Sequence, residues 1–266
     1  MPFQFPKKIE MNWIDSHTHI YDEQFSKDSD EVIMSALESG VQLLFLPNCD
    51  DSTVTPLLDL AAKYPDVCMP MMGLHPCYVN ENYEQTLESI AHIFDEEKIW
   101  AVGEVGLDYH WDLTYVAEQK KAFDLQIVWA KERELPLVIH SRKSLDDSIS
   151  MVQSRQDGNL SGVFHCFDGT IEQAQKIIDL GFYIGIGGVL TFKKSQLPEL
   201  ISGIGIDRVV LETDAPYLAP APFRGKRNES SYIPLIGQKL SEILNCPIAD
   251  VAAVTTRNSE KLFKVR

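Results

Sequence analysis

The sequence predicts an α/β protein, a (β/α)8 TIM-type barrel with a metal site at the C-terminal ends of its strands. Three observations lead there. Short apolar runs alternate with longer amphipathic stretches eight times along the 266 residues. The runs are continuously apolar, which marks strands buried on both faces, as in a parallel sheet covered by helices. Five of the runs carry histidine or carboxylate residues at or near their ends, where (β/α)8 barrels carry their chemistry.

The elements follow in order. A strand at 12–17 (NWIDSH) is followed by a helix at 28–39, and 41–47 (VQLLFLP) by 53–64. A strand at 67–74 precedes a helix at 83–97, and 99–105 (IWAVGEV) precedes 114–133. The run 136–140 (PLVIH) leads to 144–156, and 161–166 (SGVFHC) to 170–180. The run 182–187 leads to 194–202, 208–213 (RVVLET) to 231–245, and a last helix spans 247–262. A doubly wound open sheet is the competing arrangement. It would carry a glycine-rich turn after the first strand, whereas no glycine precedes Gly40. With no linker, repeat or low-complexity tract, residues 1–266 read as a single domain.

Composition narrows the function classes. Apolar content of 44% and charged content of 24% belong to an ordinary globular protein. No apolar run approaches the roughly 18–20 residues that cross a bilayer, so no membrane partner is expected. The N-terminal "MPFQFPKKIE" has no signal-peptide core, and a cytoplasmic address is the expectation. Five cysteines, an odd number without a CxxC pair, fit reduced thiols better than disulfides or a cysteine zinc site. A net charge of −15 speaks against binding nucleic acid over a broad basic surface. It leaves room for a local site, because charges are screened beyond about 8 Å at physiological salt.

The polar residues at the strand ends carry the chemistry. His17 and His19 end the first strand, Glu104 lies in the fourth, His140 ends the fifth, His165 lies in the sixth and Asp214 follows the eighth. Residues i and i+2 of a strand point to one face, about 6.6 Å apart along the chain, so His17 and His19 can reach one ion from the same side. Each residue alone has a plainer reading, as a hydrogen-bonded core histidine or half of an ion pair. Together they are costly to bury unless they share cations. Four histidines and two carboxylates exceed what one zinc needs, and two divalent ions roughly 3.5–4 Å apart would use them all. His17, His19 and Asp214 then hold one ion, His140 and His165 the other, and Glu104 bridges. Nitrogen and oxygen donors suit Zn, Mn, Ni or Fe, and Mg less well.

The segments "DSHTH", "GLHP", "GEVGLDYH", "LPLVIHSR", "FHCFDG", "ETDAPYL" and "RGKRNE" resemble, in order, those of the TatD family of metal-dependent hydrolases in the amidohydrolase superfamily. The resemblance implies a (β/α)8 barrel, one or two metal ions and 3′–5′ exonuclease activity on DNA; deacylation of D-aminoacyl-tRNA has also been proposed in the family. It places the family's ligands on His17, His19, Glu104, His140, His165 and Asp214. Two departures stand out: Ser230 follows "NE", in "NESSY", where proline is usual, and Cys77 stands in "LHPC" where a second histidine is common.

Hydrolysis would use a water activated near neutral pH, with Asp214 taking its proton and Glu104 as the other catalytic carboxylate. Substrate contacts are expected from His75, Arg142, Arg224, Lys226, Arg227 and Tyr109, with Trp111, Tyr217 and Phe223 as further stacking candidates. Asp108 is expected to orient a ligand histidine from behind. The expected partner is DNA, through single-stranded ends and with little sequence specificity. A small ester, amide or lactone is the alternative substrate, and a non-catalytic metal-binding scaffold the alternative from another class.

Overall fold

The computed structural model describes residues 11–265. The N-terminal stretch read above as lacking a signal lies outside the described residues. Eight strands and nine α-helices are described: β1 Trp13–Asp15, α1 Ser29–Glu38, β2 Val41–Pro47, α2 Asp51–Lys63, β3 Cys68–Met71, α3 Tyr83–Glu96, β4 Val102–Asp108 and α4 Val116–Glu132. They continue with β5 Leu137–Arg142, α5 Leu145–Arg155, β6 Gly162–Phe164, α6 Ile171–Asp179, β7 Tyr183–Ile186, α7 Leu197–Ile204, β8 Val209–Leu211, α8 Ile233–Leu244 and α9 Ile248–Phe263.

All strand pairs are parallel and follow chain order. The ladders form two arcs, β1 to β3 and β4 to β8. Each seam between them is spanned by a single bridge, Met72 with Val102 and Thr18 with Ala215. Hydrogen bonds continue across both: Gly103 N–H to Met72 O at one, Ser16 N–H to Leu211 O and Asp214 N–H to His17 O at the other. The expected α/β, TIM-type order is therefore present, with regular pairing interrupted at the two places where site residues leave the ladder.

Two apolar layers hold the fold. The inner one gathers Ile14, Phe45, Met71, Ala101, Val138, Val163, Tyr183 and Val210, one contribution from in or beside every strand. Leu262 and Phe263 of α9 join it, with the Phe263 ring stacked 3.7 Å from Phe45. The outer layer lies between strands and helices. There Trp13 packs on Gly237 of α8, where an added Cβ would collide with the indole. Burying a side chain of this size contributes about 1.5–3 kcal/mol, so the small residue on α8 is what admits it.

Strand ends differ from expectation in ways that matter for the site. β1 stops at Asp15, so His17 and His19 lie beyond the ladder rather than within it. Both still flank a bridged residue, Thr18, so the extended geometry that puts i and i+2 on one side persists. β4 runs on to Asp108, which places Glu104 inside the strand and Asp108 at its end.

Candidate metal centre

Polar residues that are themselves buried fix the backbone around each site residue. Asp15 accepts from Thr213 N–H (2.9 Å) and from the Thr213 hydroxyl, tying the end of β1 to the chain after β8. Burial raises the Asp15 carboxyl to about 7, against these hydrogen bonds, which favour its charged form. The Asn48 side chain donates to Gly73 O (2.8 Å) and its backbone carbonyl accepts from Glu104 N–H (3.0 Å). Gln126 of α4 pairs with both backbone groups of Leu74, just before His75. Asp214 has φ of +57°, a left-handed conformation that Asp tolerates better than most residues.

Glu104 is the hub. Its Oε2 lies 3.2 Å from His17 Nε2 and 3.6 Å from His19 Nε2, and Asp214 Oδ1 is 3.4 Å from His19 Nε2. Its Oε1 lies 2.9 Å from His165 Nε2, 3.0 Å from His140 Nδ1 and 3.3 Å from His75 Nε2. The His17 and His165 rings stack at 3.9 Å. Burial opposes ionisation of Glu104, but the positive field of His165, His75 and His17, with the His140 hydrogen bond, holds its pKa well below the carboxylate range. Asp214 is likewise lowered: burial opposes ionisation, and the hydrogen bond from His19 and the nearby histidines outweigh it.

Several donor triads fit a cation, including His17–His19–Glu104, His17–His165–Asp214 and Glu104–His140–His165, each with ligand atoms within 4.8 Å of one another. Nitrogen and oxygen donors massed in a largely buried cluster are what a divalent transition ion requires, so the residues suit the metal chemistry expected of them. Behind them, Asp108 Oδ2 lies 2.9 Å from His140 Nε2, and its Oδ1 accepts the N–H of His110 and Trp111.

One carboxylate was not anticipated. Glu212 is fully buried, accepts from Cys166 N–H and sits 3.7 Å from His165 Nδ1. Room for it comes from β7: a Cβ on Gly185 would lie 2.5 Å from Glu212 Oε2. The glycine thus spaces a carboxylate. Gly185→Ala is expected to lower stability by about 1–3 kcal/mol, the usual result of overpacking. Thermal unfolding checks it, since an open groove at Gly185 would leave Tm unchanged.

The expected substrate contacts divide. Arg142 is exposed at the end of β5, over the Trp111 ring at 5.4 Å. Arg224 and Lys226 are exposed on the segment after β8, over Phe192 and Phe223. Arg227 needs correction. It forms a bidentate pair with Asp28 (2.6 and 2.9 Å), bonds Glu229 and Gln24 O and packs on Phe25, so it clamps two loops together. Tyr109 is also committed, donating to Asp147 at 2.8 Å. His75 faces Glu104 rather than standing free as a phosphate donor. Phe223 stacks on Tyr232 at 4.4 Å, while Trp111, 70% exposed, is open. Arg227→Ala should therefore lower stability by about 1–2 kcal/mol, from loss of a charge-assisted bidentate pair, with KM unchanged. A raised KM at unaltered Tm would return Arg227 to the substrate.

Comparison with known proteins settles the family. The model for TatD related DNase matches residues 14–264. The chain belongs to the TatD family. A Bacillus subtilis relative, the uncharacterized metal-dependent hydrolase YabD, is 36% identical over 94% of this chain and 98% of its own. The 3′-5′ ssDNA/RNA exonuclease TatD of Erwinia tasmaniensis is 32% identical over 91% of this chain and 96% of its own. Among solved structures, the TatD homolog YjjV of Escherichia coli K12 superposes with a TM-score of 0.91 at 28% identity, over 97% of this chain and all of that one. As a TatD-family protein the chain is a metal-dependent hydrolase. No helix among the described residues is long and apolar enough to cross a membrane.

Proposed function

We propose that this hydrolase is a two-cation 3′–5′ exonuclease acting on single-stranded DNA ends. The observation that carries the reading is the two-sided Glu104: Oε2 turns to His17 and His19, Oε1 to His140 and His165. The residues proposed to hold the cations are His17, His19 and Asp214 on one side, His140 and His165 on the other, with Glu104 shared. Divalent cations bound there supply Lewis acidity, which eases water deprotonation near neutral pH and neutralises phosphate charge.

The chain's own groups do the rest. Asp214 Oδ1, held low in pKa, takes the proton of the attacking water. Asp108 fixes the His140 ring by its 2.9 Å contact, and the Glu212 carboxylate lies 3.7 Å from His165 Nδ1, an electrostatic partner rather than a hydrogen bond. Arg142 and Arg224 meet backbone phosphates, and the open Trp111 offers a face for an unpaired base. Contacts of this kind are indifferent to base identity, hence the low sequence specificity. The relative from Erwinia tasmaniensis, named for ssDNA/RNA exonuclease activity, supports nucleic acid over a small ester, amide, lactone or D-aminoacyl-tRNA.

The test sets single-stranded DNA beside a small carboxyl ester and a lactone, with metal-loaded protein. DNA turnover is expected, with Arg142→Ala and Arg224→Ala each raising KM several-fold, about 1 kcal/mol per lost phosphate contact, at nearly constant kcat. Rapid ester or lactone turnover with inert DNA would favour the carbon-centred alternative.

A further inference from the structure

Beside the Glu104 hub lies a donor set of different chemistry. His75, Cys77 and His140 each offer a ligand atom within 4.8 Å of the other two. Both imidazoles are two-sided. His75 turns Nε2 to Glu104 (3.3 Å) and Nδ1 to the turn at Cys77, 3.1 Å from its backbone nitrogen. His140 turns Nδ1 to Glu104 (3.0 Å) and Nε2 to Asp108 (2.9 Å). The nitrogens facing away from Glu104 thus turn toward the Cys77 turn in His75 and toward Asp108 in His140.

We propose that Cys77, His75 and His140 form a third cation position, for a thiophilic dication such as zinc, at the β3 edge of the cluster. Thiolate with imidazole selects softer ions than the nitrogen and oxygen donors around Glu104 do. The carboxylates of Asp108 and Glu104 add the negative potential that draws a cation there. Cys77 is exposed, so an ion can reach it without crossing the inner cluster. When the ion binds, the Cys77 N–H gives up its bond to His75 Nδ1 and Asp108 its contact with His140 Nε2; His140 then serves both sides as an imidazolate, its proton and that of the thiol passing to solvent. This position is independent of which substrate the enzyme hydrolyses.

Cobalt(II) distinguishes it, because only a thiolate ligand gives a near-ultraviolet sulfur-to-metal charge-transfer band. The full-length protein is titrated with cobalt under reductant, beside Cys77→Ser, Cys77→His and Cys49→Ser. Cys49 is the control thiol, 3.8 Å from His19 Nδ1. The band is expected in wild type and Cys49→Ser and absent from Cys77→Ser and Cys77→His. In zinc-loaded, desalted protein, Cys77→Ser should hold about one equivalent less than wild type and Cys77→His the wild-type amount, since imidazole replaces thiolate as ligand. Absence of the band from wild type, or its survival in Cys77→Ser, overturns the proposal. Equal zinc content in wild type and Cys77→Ser does so as well.

Discussion

Asp214→Asn is expected to lower kcat on single-stranded DNA by about 1,000-fold, or roughly 4 kcal/mol of barrier, with the fold intact. The amide keeps the shape of the side chain but accepts no proton, and a positioned general base contributes about 100- to 10,000-fold. The backbone at 214 favours this substitution as a clean test: Asn tolerates φ near +57° as Asp does. Asp214 N–H also keeps its bond to His17 O. KM should change little, because the carboxylate acts on water rather than on the DNA. A small loss in kcat would assign the proton transfer elsewhere.

Glu104→Gln is expected to have the largest effect on metal content. The shape is conserved, but one formal charge disappears from the point where the two donor sets meet. Losing a group that merely orients a ligand costs about 10- to 100-fold in affinity or activity, and a shared ligand should cost more. Metal content after desalting should drop, activity should fall by more than about 100-fold, and the rise in Tm on adding metal should shrink. That rise follows ligand binding to the native state, RT ln(1 + [L]/Kd). If Glu104→Gln kept a full complement of ions and the wild-type thermal shift, Glu104 would not bridge.

These expectations rest on residues with very different visibility in the sequence. His17, His19, His140 and His165 were legible because a histidine closing an apolar run is costly without a partner, and several such runs repeat the pattern. The strand order was legible for the same reason: continuous apolar runs admit few arrangements. Glu212 and Asp15 were hidden. A carboxylate in "LETDAP" or "DSHTH" gives no hint that its partners are Cys166, nearly fifty residues earlier, or Thr213, at the other end of the chain. Asn48 and Gln126 were hidden too, since buried amides that pair with backbone resemble any polar residue in a strand end or helix. Arg224 and Arg227 are three residues apart in one basic loop, and only Asp28, brought alongside by folding, separates an exposed cation from a clamp.

The most direct measurement is the cleavage of single-stranded DNA labelled at either the 3′ or the 5′ end. It is run with magnesium, manganese, zinc or chelator, for wild type and Asp214→Asn side by side. A two-cation exonuclease built on Glu104 should shorten the strand stepwise from its 3′ end, stop with chelator and stop in the variant. Intact DNA under every metal, from protein shown to be folded and metal-loaded, would contradict it.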